Sequence, residues 1–536
     1  MHDSTVQEEQ KKYSRRSFLR GVGALSAGVA ASTLVGCDAS VEQTVKDPVE
    51  GPSWDHEADI VVCGYGGAGA ITAICAHDAG SSVLILEKQP QDTPDKMNQT
   101  NSTRMSTAST MSFKSEQDAI DYLTASSMGR TPDDVIASWA KYACKVFDFM
   151  TSIGAPIINN ERSGSEYSLE LFPQGETYWS CSYEGQGIEL WDSLDSAVKE
   201  RGIEVIFDSP AKELITNAER EVIGVIAEKN GEKIRVKAKK AVVLGTGGFE
   251  HDPEMVKQFI WADPVKFYAN PDNNGDGVKM AQDVGADLWH MYLAGGRFVP
   301  FIPDLGYALQ NGSNDPFVYV TKYGKRFYKE NWRNHSVLWE GFRFMTDYCD
   351  FVNTPCFQVF DQTAMDVGPV VRGGMMKVGA YEWSKDNSKE LAAGWIIKGD
   401  TLEELAEAIA KEPEVGDKMD PAVFAETIAT YNGYCEAGED LEFGRDPKGL
   451  IPLVTPPFYA LKMYPGGVNT FGGPRRNAKG QIVRPNGEPV GRLYGVGELG
   501  SVQGFLYSGG GWNICEIATS GQLAAEFASQ ETAWEA

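Results

Sequence analysis

The hexapeptide Gly64-Tyr65-Gly66-Gly67-Ala68-Gly69 is the first place in this 536-residue sequence where residue type and spacing together imply chemistry. Glycines at that spacing allow a tight reversal, approach of bare backbone to a pyrophosphate, and close packing of helix on strand. The phosphates then sit at the positively polarised N-terminus of the following helix. Glu87 stands eighteen residues after Gly69, where a carboxylate accepts hydrogen bonds from a ribose diol and repels a 2′-phosphate. Near the other end of the chain, Arg492-Leu493-Tyr494-Gly495-Val496-Gly497-Glu498 precedes Gly509-Gly510-Gly511-Trp512-Asn513-Ile514, and Thr246-Gly247-Gly248 lies between the two regions. The first segment alone suits NAD or FAD equally. A dinucleotide held from both ends of a long chain suits FAD, whose ribityl and isoalloxazine need a second wall.

Such turns must be carried by regular elements. Asp59-Ile60-Val61-Val62-Cys63 is an apolar run of strand type, Ala70 to Asp78 is helix-forming, and Ala79-Gly80 ends that helix. Val83-Leu84-Ile85-Leu86 is then a strand that delivers Glu87, Ala241-Val242-Val243-Leu244 is another, and a helix is expected from about Cys515 to Phe527. Alternation of strand, glycine turn and helix places the chain in the α/β class. With 49 Lys plus Arg against 75 Asp plus Glu, the net charge of −26 leaves no basic excess to neutralise phosphates, so nucleic acid is excluded as a partner. The 42% hydrophobic content supports one large core or two, and 57 Gly without a collagen period excludes a fibrous protein.

The first residues read differently. Ser14-Arg15-Arg16-Ser17-Phe18-Leu19-Arg20, followed by an apolar stretch from Gly21 to Gly36, is the pattern of a twin-arginine export signal. Leu34-Val35-Gly36-Cys37 resembles a lipobox, which makes Cys37 a lipidated N-terminus and the only expected membrane contact. A polar tether over 37–56 follows the signal at 1–36. The other eight cysteines form no C-x-x-C pair and no haem motif, so neither structural zinc nor internal haem is implied, and they are expected as scattered buried thiols.

In order along the chain, the Gly64 to Gly69 turn with Glu87, Thr246-Gly247-Gly248, Asn274-Gly275-Asp276-Gly277 and Gly324-Lys325-Arg326-Phe327 carry a family resemblance. So do Tyr431-Asn432 with Asp440 to Arg445, Thr470-Phe471-Gly472-Gly473, and Tyr494 to Glu498. Together they resemble the FAD-dependent soluble fumarate reductase and succinate dehydrogenase flavoprotein family, which includes the 3-oxosteroid dehydrogenases. The resemblance implies an α/β fold: a Rossmann-like FAD-binding domain over 57–300 and 456–532, with an inserted α+β capping domain over 301–455 and substrate between them. It further implies that Glu87 meets the adenosine ribose, that the loop with Asn101, Ser106 and Thr107 meets the flavin side, and that Asp276, Glu498, Trp512 and Asn513 hold FAD elsewhere. Residues 90–107 contain no His, so the FAD is expected to be non-covalent.

In this family a hydride passes between flavin N5 and an activated carbon while a side chain moves a proton at the adjacent carbon. By resemblance Arg333 falls near the proton donor of fumarate reductases, one position short of it. By the same resemblance the substrate-holding His falls on Asn469, the carboxylate-clamping Arg on Tyr507, and the proton-relay Glu and Arg on Gln310 and Ser313, which speaks against fumarate. Phe505-Leu506-Tyr507-Ser508-Gly509-Gly510-Gly511 instead resembles the 3-oxosteroid dehydrogenase arrangement, in which a phenol (Tyr507) and a glycine N–H (Gly511) polarise a ketone oxygen. Tyr319, Tyr323, Tyr348 and Trp332 are expected to add an aromatic wall in the cap.

The function expected is that of an exported FAD oxidoreductase reducing an activated C=C bond, enone or acrylate-type, in a small organic acceptor. Electrons would come from an external donor, a cytochrome or flavin carrier. The alternatives are a 3-oxosteroid-type desaturation, an electron-relay flavoprotein without its own small substrate, and a nicotinamide dehydrogenase.

Overall fold

The computed structural model describes residues 53–91, 101–155, 157–162, 172–183, 185–312, 314–330, 335–373, 381–507 and 509–534. The export signal, Cys37 and most of the tether therefore lie outside the described residues. Strand β1 (His56–Cys63) runs through the glycine turn into helix α1 (Gly67–Asp78), and the chain returns as β2 (Val83–Leu86). Next come β3 (Glu204–Ile206), β4 (Glu232–Leu244) and α2 (Asp276–Asp283). Strands β5 (Ala294–Val299), β6 (Phe317–Thr321), β7 (Cys356–Asp361) and β8 (Phe458–Thr470) follow. The chain finishes with β9 (Pro489–Gly495) and α3 (Trp512–Gln530).

Strands β9, β4, β1, β2 and β3 lie side by side and parallel within an eight-stranded sheet. A parallel sheet is stable only with both faces covered, and β1 shows how this is met. Ile60 and Val62 join the apolar cluster that contains α1 and α3, whereas Val61 and Cys63 join a second cluster with Phe249, Val278 and Leu499. The α/β class follows directly.

The register of this sheet gathers distant sequence into one place. Cys63 pairs with Leu86 on one side and Leu244 on the other, and Leu244 pairs with Gly495. Four strands thus end level, so the turn at Gly64, Glu87, the turn at Gly245 and the segment leading to Glu498 all emerge at one carboxyl edge, where open α/β sheets bind ligands.

A second, six-stranded sheet is organised by the thirteen residues of β8. Its first half pairs antiparallel with β7, from Asp361↔Phe458 to Cys356↔Met463. Its second half pairs antiparallel with β5, from Val299↔Tyr464 to Ala294↔Thr470, with a register shift at Gly295/Gly296. Pro465 and Gly466-Gly467 in mid-strand are signals that ordinarily argue against a strand, which is why the sequence does not announce β8. Two of the family-like segments meet nearby in a wholly buried ion cluster. Arg326 pairs with Glu330 at 2.7 Å and Asp440 at 3.0 Å, and Arg445 reaches Glu330 at 3.5 Å. The cluster anchors the chain that runs on toward His335.

Among the described residues no helix is long and apolar enough to cross a membrane. All eight cysteines outside Cys37 are free, and Cys63, Cys181, Cys356 and Cys515 are buried. Cys75, Cys144 and Cys435 are half-buried and Cys349, in a left-handed turn at φ +47°, is exposed, against the expectation that all would be buried.

Candidate active site

The level strand ends open into a cleft of about 1590 Å³ of empty space, partly continuous with solvent.

At one end lie Gly64, Gly66, Gly67, Thr246, Gly247 and Asp276, all on the wall. Gly66 caps α1 without a side-chain hydrogen bond; the Gly67 N–H donates to Thr103 Oγ1 at 3.2 Å, and the rest of the first turn faces the ligand with the positive end of the helix. Gly69 is not on the wall. Its role is the close approach: a Cβ there would stand 2.0 Å from the carbonyl oxygen of Gly64. Glu87, at the end of β2, accepts hydrogen bonds from the backbone N–H of Tyr65 at 2.6 Å and of Gln89 at 2.8 Å. Each oxygen keeps a lone pair for a hydroxyl donor. Burial raises the Glu87 carboxyl and these two N–H donors oppose the rise. Asp276 opens α2 and forms an ion pair with Lys88 at 2.9 Å, a partner the sequence reading did not name.

Along the middle, Asn101, Ser106 and Thr107 line the cleft. Asn101 also caps the short helix Ser102–Met105 by accepting from the Arg104 N–H at 2.8 Å, and Ser106 Oγ donates to the Thr103 carbonyl at 2.7 Å. Glu498 and Asn513 line it as well, and Asn513 donates to Asn469 Oδ1 at 3.0 Å. Two further residues expected to hold FAD are not on the wall of the cleft. Trp512 does not face the cleft: it stacks on Trp139 (centroids 5.0 Å apart) and Tyr122 (6.1 Å) inside the core, because the first turn of α3 presents Asn513 instead. Gly248 is also off the wall, its α-hydrogen space filled by Glu250 and Thr470 within 2.3 Å of a built Cβ.

At the other end stand Tyr507 and Gly511. Gly511 caps α3 with φ +106°, a conformation that favours glycine. The Tyr507 ring is held by His335 at 4.5 Å and Phe471 at 5.6 Å between centroids. His335, Arg297 and Gln310 share this part of the wall. The sequence reading gave neither His335 nor Arg297 a role. The signal for His335 was its place two residues beyond Arg333, whereas Arg297 had none outside the pairing of β5. Arg333, Ser313 and Trp332 lie outside the described residues. Tyr319, Tyr323 and Tyr348 do not line the cleft. Tyr323 instead packs on the exposed Tyr348 and donates to Asp350 at 3.0 Å, and Tyr319 packs on Phe298 in the apolar cluster of the second sheet.

Two buried carboxyls flank the middle of the cleft. Burial, opposed by hydrogen bonds from Asn273 and Thr470, pushes Glu250 up to about 7. Burial and then the charge of Glu250 push Glu498 well above the usual range. Each carboxyl holds its proton where an unfolded chain, with a value of about 4.3, has released it. Their stabilisation is complete below that value and is lost as pH rises through about 7. The melting temperature is therefore expected to fall from about pH 5 to about pH 8. Glu498→Gln should flatten the fall and melt higher at the alkaline end; a thermal-shift series with equal slopes for both proteins would contradict this.

Thr246 Oγ1, Glu498 Oε2 and Asn513 Oδ1 are buried, lie on cleft residues and have no hydrogen-bond partner. An unmade buried hydrogen bond costs about 1–3 kcal/mol, so three spaced along one cleft fit an elongated ligand rich in donors and acceptors. With the bare helix start and Glu87, they fit FAD. Among the described residues no group of three or more His, Cys, Asp or Glu side chains is placed to hold a metal ion.

The family model described as "FAD binding domain" matches residues 59–514. The chain is 26% identical to the digoxin reductase of Eggerthella lenta, over 98% of both chains. It is 25% identical to the probable fumarate reductase Ifc3 of Shewanella frigidimarina, over 90% of this chain and 76% of that one. The crystal structure of 3-ketosteroid delta1-dehydrogenase from Sterolibacterium denitrificans superposes with a TM-score of 0.71 at 19% identity, covering 88% of this chain and 99% of that one.

Proposed function

Because the chain belongs to the FAD binding domain family, we propose that it reduces a C=C bond conjugated to a carbonyl in a small organic acceptor. It is an FAD-dependent oxidoreductase acting on CH–CH groups. The observation that carries the narrower reading is that Tyr507 and Gly511 line the same cleft as the glycine turn and Glu87.

Gly64, Gly66, Gly67 and Glu87 would hold FAD in this cleft, and its reduced form would supply a hydride for the β carbon of the acceptor. As that carbon is attacked, negative charge builds on the conjugated carbonyl oxygen. The Tyr507 phenol and the Gly511 N–H, at the start of α3, are donors suited to stabilise it. The α carbon then needs a proton from the segment 330–335. Arg333 is the candidate by resemblance, and His335 is the imidazole on the wall against Tyr507. A general acid contributes about 10²- to 10⁴-fold, so His335→Ala is expected to slow turnover by at least about 10²-fold with flavin retained, read by stopped-flow reoxidation.

Asn469 is committed to the protein, donating to the Thr470 carbonyl at 3.2 Å and accepting from Asn513. That supports an acceptor other than a dicarboxylate. Twin-arginine export, lipidation at Cys37, FAD held without a covalent bond and an external electron donor complete the proposal. Its test is anaerobic: reduced protein mixed with benzylideneacetone or cinnamate should regain the oxidised flavin band in proportion to acceptor added. Indifference to both would favour the electron-relay alternative.

A further inference from the structure

Arg297 sits on β5 with its side chain on the wall of the cleft. Its Nε is buried and has no hydrogen-bond partner, and no carboxylate among the described residues pairs with it. The buried arginines with resolved ion pairs show what a guanidinium in this protein ordinarily receives. Arg326 holds Glu330 and Asp440, Arg445 holds Asp315 at 3.2 Å, and Arg476 holds Glu516 at 2.6 Å. A cation left unpaired in a partly dry wall is costly, and more so when a buried N–H is unmade. An anion arriving in the cleft relieves both costs.

The strand geometry says which part of the wall that anion meets. Residues two apart on a strand face the same side, and a Cβ on Gly295 would stand 3.4 Å from the Tyr507 ring. Arg297 therefore faces the side of β5 that meets the Tyr507 ring. Lys88, at the phosphate end, is already matched by Asp276. Val468 and the buried Tyr268 lie on the wall with Arg297, so the guanidinium has an apolar flank.

We propose that Arg297 is the receptor for a carboxylate on the acceptor, which makes the preferred substrate a monoanionic unsaturated acid with an apolar body. This rests on the reductase reading above and narrows it, since Tyr507 and Gly511 by themselves suit a neutral enone equally. A single unpaired guanidinium matches one charge, and a second carboxylate would lack a partner.

The experiment titrates the oxidised holoprotein with cinnamate and with methyl cinnamate, following the flavin visible band, and then mixes reduced protein anaerobically with each. Wild type should bind the acid at least about tenfold more tightly than the ester. In Arg297→Met the acid's affinity should fall by roughly 10- to 150-fold, the worth of one charged hydrogen-bonded pair, and the preference for acid should vanish. Arg297→Lys should keep part of the preference, a result that a purely structural arginine does not produce. Equal binding of acid and ester by wild type overturns the inference and leaves the reductase reading standing. Loss of flavin from purified Arg297→Met assigns the guanidinium to the cofactor and also overturns it. Failure of both compounds to reoxidise reduced wild type removes the reductase reading and the inference together.

Discussion

Tyr507→Phe is expected to lower turnover by about 10²- to 10³-fold, the usual cost of removing one donor from a site that stabilises a developing oxyanion, while the flavin stays bound. The ring is buried at 6% exposure and fixed between His335 and Phe471. Deleting the hydroxyl therefore takes away a donor without freeing the ring to move. The loss should appear in the rate at which an unsaturated carbonyl compound reoxidises reduced protein, with the visible spectrum and melting temperature near those of wild type. Wild-type rates from the phenylalanine variant would show that Tyr507 only packs at the end of the cleft, and the carbonyl would need another partner.

The second large effect is on cofactor retention. Gly69→Ala should give protein that leaves the column without its yellow colour. The added methyl would stand 2.0 Å from the Gly64 carbonyl oxygen and 3.1 Å from its carbon, both backbone atoms. Gly64 cannot give way easily, because its N–H donates to the Leu86 carbonyl at 2.8 Å and so ties the turn to β2. Overpacking of this kind costs about 1–3 kcal/mol, so affinity for FAD should weaken by about 10- to 100-fold. The flavin-to-protein ratio after gel filtration, with and without added FAD, measures it. Gly433→Ala is the matched control, since a Cβ there meets nothing within 4 Å on the exposed side of a helix, and it should keep its flavin. Full flavin occupancy in Gly69→Ala would mean that α1 can shift away from the turn, and the close-packing account of Gly69 would be lost.

What the amino-acid sequence determined by itself was the local unit. The run Ile60 to Cys63, the glycines after it, the helix to Asp78 and the strand that ends before Glu87 are each encoded within a few adjacent residues. Apolar runs, turn residues and caps act on their immediate neighbours, so the α/β class and most of the dinucleotide grip could be read without coordinates. The ordered motifs did the same for the cofactor. The ends of those elements ran beyond their sequence limits, with α3 starting at Trp512 and β1 at His56, because tertiary packing extends a helix or strand past its strongest local signal.

What only the tertiary structure decided was direction and company. Trp512 and Asn513 are adjacent in sequence, yet one enters the core and the other the cleft. The choice depends on how α3 is rotated against α1 and the Trp139 helix, which no local pattern states. Gly248 was given to the cofactor by its neighbours in the motif, but the buried Glu250–Thr470 pair occupies its open side. His335 and Arg297 reached the Tyr507 end through pairings more than a hundred residues apart, β5 on the second half of β8 and the buried Arg326–Glu330–Asp440 cluster behind residues 326–330. Local propensity specifies elements through short-range backbone and side-chain energetics. The chemistry at the far end of the cleft arises from long-range register, where a one-residue slip would turn every side chain of β5 to the opposite face.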